Sequence, residues 1–131
     1  MKLDHIGIAV KSVDATLDIY RRMMDFQERR TVVESQKAKI ALVPIGDISL
    51  ELLEPTGPDS SLAKFIADRG EGIHHIAFEV EDIEASMREY GAKGFHFTYD
   101  KPAPGKFGSL VNFILPRDTG RVLIELTQHP R

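Results

Sequence analysis

The chain contains no cysteine. That excludes disulfides, thiolate nucleophiles and cysteine-based zinc sites. No apolar run approaches the ~20 residues needed to span a bilayer, so no membrane association is expected. No apolar signal segment is present either: Met1, Lys2 and Leu3 lead straight into a strand pattern, which reads as a cytoplasmic protein. Positive charge is not in excess. The formal net charge is −3 at pH 7, which argues against nucleic acid as a partner. What is present is an ordinary globular composition, 42% apolar and 28% charged with both signs interspersed. The 131 residues suffice for one core, or for two small modules sharing one.

The chain repeats itself. Asp4-His5-Ile6-Gly7-Ile8-Ala9-Val10 reappears as His74-His75-Ile76-Ala77-Phe78-Glu79-Val80, and a helix-like stretch follows each copy. An offset of 70 pairs His5 with His75, Ile6 with Ile76, Val10 with Val80, Ala15 with Ala85 and Tyr20 with Tyr90. Later in each copy one carboxylate interrupts an apolar strand: Glu51 in Ile48–Leu52 and Glu125 in Val122–Leu126, offset by 74. The first half reads strand 4–10, a helix capped by Ser12 over Val13–Met23, and strands 25–33, 38–44 and 48–54. A short amphipathic helix over 61–68 connects the halves. The second reads strand 73–80, helix 82–91 and strands 95–98, 110–115 and 122–127, with a longer loop from Lys101 to Ser109. The expected fold is α+β: one domain over 1–131, with two tandem βαβββ modules (about 3–55 and 72–128) joined by a linker helix (about 59–70). These modules would form one curved mixed sheet around a metal-binding cleft.

Strand parity selects the candidate ligands. His5 shares its face with Gly7 and Ala9, and His75 with Ala77. Small neighbours leave room for a ligand, where a solvent face would carry longer polar side chains. Successive strand residues point to opposite faces, so His74 and His75 cannot both enter a cleft, and the repeat selects His75. Glu54 lies three residues from Glu51 and takes the opposite face. His96 and His129 read as structural. Two imidazoles and two carboxylates suit one divalent ion, among Co²⁺, Mn²⁺, Ni²⁺, Fe²⁺ and Zn²⁺, and the sequence does not choose among these. Such an ion can hold two substrate oxygens and stabilise an enolate. Glu125 or Glu51 could also move protons.

These features resemble the vicinal oxygen chelate superfamily (glyoxalase/bleomycin resistance/dioxygenase) and, within it, the methylmalonyl-CoA epimerase family. The resemblance covers nearly the full length. Its most specific stretch runs from Glu51-Leu52-Leu53-Glu54-Pro55 through Gly57-Pro58-Asp59-Ser60 and Ala63-Lys64-Phe65 to Arg69-Gly70-Glu71-Gly72-Ile73-His74-His75-Ile76-Ala77-Phe78-Glu79-Val80. Asp4–Val10, and Asp118-Thr119-Gly120 with Val122–Leu126, also match. The resemblance implies a metal held by His5, Glu51, His75 and Glu125, with Co²⁺ the first expectation and no organic cofactor. It implies a homodimer acting on an acyl-CoA thioester. The implied reaction removes the proton α to the thioester, passes through a chelated enolate and returns a proton on the other face, with Glu125 as one acid/base group. Two places depart from the pattern. Lys39 stands where some relatives have Glu. The segment Pro104-Gly105-Lys106-Phe107-Gly108-Ser109, with Phe113-Ile114-Leu115-Pro116-Arg117, replaces a more Gly-rich loop and a Phe-x-His-Pro-Lys pattern. A glyoxalase-like lyase or isomerase, and a small-ligand binding protein of the same fold, are the alternatives.

Overall fold

The computed structural model describes all 131 residues. Eight strands and three α-helices follow the order β1 (Lys2–Ala9), α1 (Val13–Arg21), β2 (Arg29–Val33), β3 (Ala38–Ile45), β4 (Ile48–Pro55), α2 (Ser61–Arg69), β5 (Gly72–Glu79), α3 (Ile83–Ala92), β6 (Ala103–Pro104), β7 (Leu110–Ile114) and β8 (Ile124–Gln128). The fold is α+β with mixed strand pairing. Two compact units divide the chain within β1 and β5: Ile6–His74 is one, and Met1–His5 with His75–Arg131 is the other.

In the Ile6–His74 unit, β2, β3 and β4 form an antiparallel meander with β1 beside β4. Val10 N–H donates to Leu53 O at 2.9 Å. The meander is apolar on both faces. One face gathers Ala9, Ala38, Ile40, Leu42 and Leu53 under Leu62, Phe65 and Ile66 of α2. The other gathers Ala41, Val43 and Leu52 under Val13 and Leu17 of α1. Burial on both faces explains why β3 reads as a continuous apolar run rather than an alternation.

In the other unit β5 runs parallel to β8, with β7 and then β6 added antiparallel. The expected strand over 95–98 is not formed; Phe97 makes a single bridge to Ile114. The reason lies in Asn112, which is fully buried. Its Oδ1 accepts from Tyr99 N–H at 3.1 Å and its Nδ2 donates to Tyr99 O at 2.9 Å, so a side chain takes the backbone groups a continuing ladder would need. Strand β2 is also shorter than expected, beginning at Arg29 rather than 25.

The repeat extends to the helix caps. Ser12 Oγ accepts from Ala15 N–H and Asp82 Oδ1 from Ala85 N–H, both at 3.1 Å. One strand away, Glu54 Oε1 accepts from Val13 N–H and Gln128 Oε1 from Ile83 N–H, both at 2.8 Å. Each cap satisfies a donor that the first helical turn leaves open, at about 1 kcal/mol apiece.

Candidate functional site

Side chains from β1, β5 and β8 converge in the unit formed by Met1–His5 and His75–Arg131. Parity points His5 and His75 inward, where they are 1% and 3% exposed. Fully buried Ala77 stands opposite Glu125 in the β5–β8 register, and Glu125 is 3% exposed. His5 Nε2 lies 3.1 Å from His75 Nε2. The Glu125 carboxylate reaches both rings, with Oε2 at 3.5 Å from His5 Nε2 and Oε1 at 3.3 Å from His75 Nε2. The imidazoles meet edge to face, and Phe113 packs edge-on against His75.

This donor set fits a divalent ion. Metal–nitrogen and metal–oxygen bonds of about 2.0–2.2 Å place neighbouring donors roughly 3.0–3.5 Å apart. The three separations span that range. His5 also has a support that sets its tautomer. Its Nδ1 lies 2.6 Å from Asp4 Oδ2, so an Nδ1–H donating to Asp4 leaves the Nε2 lone pair facing His75 and Glu125. Asp4 Oδ1 in turn accepts from His129 Nε2 at 2.6 Å. Burial alone would raise the Asp4 pKa, but the hydrogen bonds from His5 and His129 outweigh it and hold the carboxyl well below the usual range. Asp4 is therefore a permanent anion behind the ring.

Lys106 also stands beside His5. It is 8% exposed, and its Nζ stands 3.5 Å from His5 Nδ1.

His74 occupies the other unit. It meets the Phe65 ring edge to face with centroids 4.8 Å apart. Burial pushes its pKa down to about 4, with Arg69 adding to the effect and Glu51 opposing it. Above the unfolded value of 6.5 the ring is neutral in both states and contributes no pH dependence. Between 6.5 and about 4 the unfolded chain takes up the proton and the folded chain does not. Stability therefore decreases as the pH is lowered through that window, by at most about 3 kcal/mol. Urea denaturation of wild type and His74→Phe at stepped pH is expected to show a shallower fall for the variant; parallel curves would contradict this account.

Glu51 is 3% exposed on β4, opposite Leu42 and on the face that carries Leu53. Glu54 takes the opposite face, where it accepts from Val13 N–H and pairs with Lys39 at 3.4 Å. Lys39 is thus turned to the α1 side of the meander, away from the face of Glu51. His96 forms an exposed pair with Asp118 at 2.9 Å.

Three participants were not legible as site residues in the sequence: Asp4, His129 and Lys106. Asp4 had a signal, since a carboxylate directly precedes a ligand-type histidine. His129 and Lys106 had none, because the first is 125 residues from Asp4 and the second 101 from His5.

The chain is similar to known proteins over nearly its whole length. The model of the Glyoxalase/Bleomycin resistance protein/Dioxygenase superfamily matches residues 4–113. The ethylmalonyl-CoA/methylmalonyl-CoA epimerase of Cereibacter sphaeroides is 32% identical over 132 residues, covering 97% of each chain. A variant of Streptomyces coelicolor methylmalonyl-CoA epimerase, solved in complex with 2-nitronate-propionyl-CoA, superposes with a TM-score of 0.96 at 38% identity and covers 100% of this chain and 99% of its own. A methylmalonyl-CoA epimerase in complex with methylmalonyl-CoA and NH4+ gives a TM-score of 0.93 at 39% identity, with 98% and 94% covered.

Proposed function

The chain belongs to the glyoxalase/bleomycin resistance protein/dioxygenase superfamily and is an isomerase of the epimerase kind; from that premise we propose that it interconverts the (R) and (S) forms of methylmalonyl-CoA by moving the α-proton. The observation that carries the reading is the buried convergence of His5 Nε2, His75 Nε2 and the Glu125 carboxylate. These three would hold one divalent ion, Co²⁺ first. The internal repeat adds Glu51 as the fourth ligand, a role with which its burial is consistent. When bound, the ion supplies Lewis acidity at the thioester and carboxylate oxygens.

The chain's own groups do the rest. Glu125 accepts the α-proton as the carbon–hydrogen bond breaks and its electron pair enters the enolate. A proton delivered to the opposite face of that carbon gives the other epimer. Asp4 holds the His5 ring in the tautomer and orientation that ligation requires. Asp4→Asn is expected to weaken metal affinity about 10- to 100-fold without unfolding the chain. Competitive metal titration against a chelating dye measures this, and unchanged affinity would remove Asp4 from the role. The same reading carries a homodimer in the cytoplasm; light scattering on the purified protein tests the dimer.

The deciding assay is deuterium uptake from D₂O at the α-carbon of methylmalonyl-CoA by the metal-loaded protein. Uptake together with conversion of a single epimer into a mixture of the (R) and (S) forms is expected. Consumption of a hemithioacetal without such uptake would point to a glyoxalase-like reaction. Binding of the thioester without exchange would point to a ligand-binding protein.

A further inference from the structure

The segment 128–131 is tied down along its length. Gln128 Oε1 accepts from Ile83 N–H at 2.8 Å, and Arg131 Nη2 donates to Glu81 O at 3.0 Å. Pro130 lies against Gly108, where a Cβ would stand 3.4 Å from the proline Cγ. Between these anchors His129 Nε2 donates to Asp4 Oδ1 at 2.6 Å. Of these contacts, the His129 bond leads to the candidate metal site. The His129 side chain is 40% exposed and lies on a carboxylate that is 15% exposed.

Two neighbours of His5 Nδ1 ask for opposite tautomers. Asp4 Oδ2, 2.6 Å away, can only accept, and favours a proton on Nδ1. The Lys106 ammonium, 3.5 Å away, can only donate, and favours a bare Nδ1. The distances decide for Asp4. A contact of 2.6 Å is short and charge-assisted, whereas 3.5 Å is at the outer limit of a hydrogen bond. The result is felt at the other end of the ring. A proton on Nδ1 leaves the Nε2 lone pair for an ion, and a proton on Nε2 would close that position beside His75 and Glu125.

The tautomer therefore depends on Asp4 keeping its place. The terminal torsion of an aspartate is broad, so the carboxylate turns easily when nothing holds it. Here His5 takes Oδ2 and His129 takes Oδ1. Each oxygen is committed to a different ring, and turning the carboxylate breaks both bonds at once.

We propose that His129 is a positioning residue for the metal site: through Asp4 it fixes His5 with its proton on Nδ1 and its Nε2 open to the ion. This inference rests on the reading of His5 as a ligand, and not on the identity of the substrate. Loss of His129 has two effects of opposite sign. Asp4 loses a donor and becomes a stronger base toward His5, but water can replace that donor at a side chain already partly exposed. The fixed orientation has no such substitute, so the net effect is weaker metal binding.

The test compares wild type, His129→Ala and His129→Gln loaded with Zn²⁺, a diamagnetic ion that this donor set suits. Affinity is read by competition with a chelating dye. The His5 Nδ1–H signal is read by NMR on protein with ¹⁵N-labelled histidine. His129→Ala is expected to weaken Zn²⁺ binding about 3- to 10-fold, the size of one lost hydrogen bond. It is also expected to bring His5 Nδ1–H into faster exchange with water. His129→Gln keeps an N–H donor near the position of Nε2 and is expected to recover most of both. In an Asp4→Ala background, His129→Ala is expected to change affinity by less than about twofold, because its effect passes through Asp4. Unchanged or tighter binding in His129→Ala, no recovery in His129→Gln, or full additivity with Asp4→Ala would overturn the proposal. So would a second Zn²⁺ on wild type that His129→Ala removes, since His129 would then be a ligand beside Asp4 and Glu79. Wild type that binds no Zn²⁺ would overturn the metal reading and the role of His129 with it. Wild type that binds Zn²⁺ in a His129-dependent way but exchanges no α-proton would overturn the epimerase reading and leave the role of His129 standing.

Discussion

Glu125→Gln is expected to lower α-proton exchange by about 10²- to 10⁴-fold at matched metal occupancy, the usual contribution of a general base. The carboxylate stands 3.3 Å from His75 Nε2 and 3.5 Å from His5 Nε2, buried with both rings. A glutamine keeps an oxygen for the ion but cannot accept a proton at neutral pH. Metal must therefore be added until both proteins carry the same amount, so that any remaining deficit reports the base and not the ligand. Glu51→Gln is the control. That position asks mainly for an oxygen, so exchange is expected to be milder in its loss. The measurement is deuterium incorporation into methylmalonyl-CoA in D₂O. Near-normal exchange in Glu125→Gln with loss in Glu51→Gln would reverse the two roles. Near-normal exchange in both would remove both glutamates as bases. Lys39, turned toward Glu54 on the other face of the meander, is then a weak replacement.

The second large effect separates two adjacent histidines. His75→Ala is expected to abolish stoichiometric metal binding and, with it, activity. Removing one imidazole from the set leaves His5 Nε2 without the nitrogen 3.1 Å away and takes a strong donor from the ion. His74→Ala is expected to leave metal content nearly unchanged. Its ring packs on Phe65, and strand alternation directs it away from the face of His75. His74→Ala does remove an aromatic contact, so a lowered unfolding midpoint is the expected phenotype there. Elemental analysis of both purified variants, each dialysed after metal loading, decides the assignment. Equal metal loss from both, or greater loss from His74→Ala, would sink it.

Local rules carried much of this site. A strand side chain's face follows from its parity, so the choice of His75 over His74 and the separation of Glu51 from Glu54 needed only the order of residues. The cap at Ser12 acts within one helical turn and was similarly accessible. The internal repeat added long-range information in sequence form: matched offsets put His5 with His75 and Glu51 with Glu125 before any strand had a partner. The segment 95–98 shows where local rules stop. Its residues suit a strand, yet the buried Asn112 amide, contributed by β7, takes the backbone groups of Tyr99. The surroundings of His5 show the same limit more sharply. Asp4, His129 and Lys106 meet there from the first strand, the tail and a loop. Neither parity nor periodicity relates such residues. Their meeting follows from which strands pair and in what register, and from a loop closed so tightly that only glycine fits at 105 and Phe107 must accept a left-handed backbone. Strand pairing and loop closure are settled by burial and hydrogen bonding summed over the folded chain, so the candidate ligands could be read from residue order, whereas the charged groups gathered around His5 came from tertiary packing.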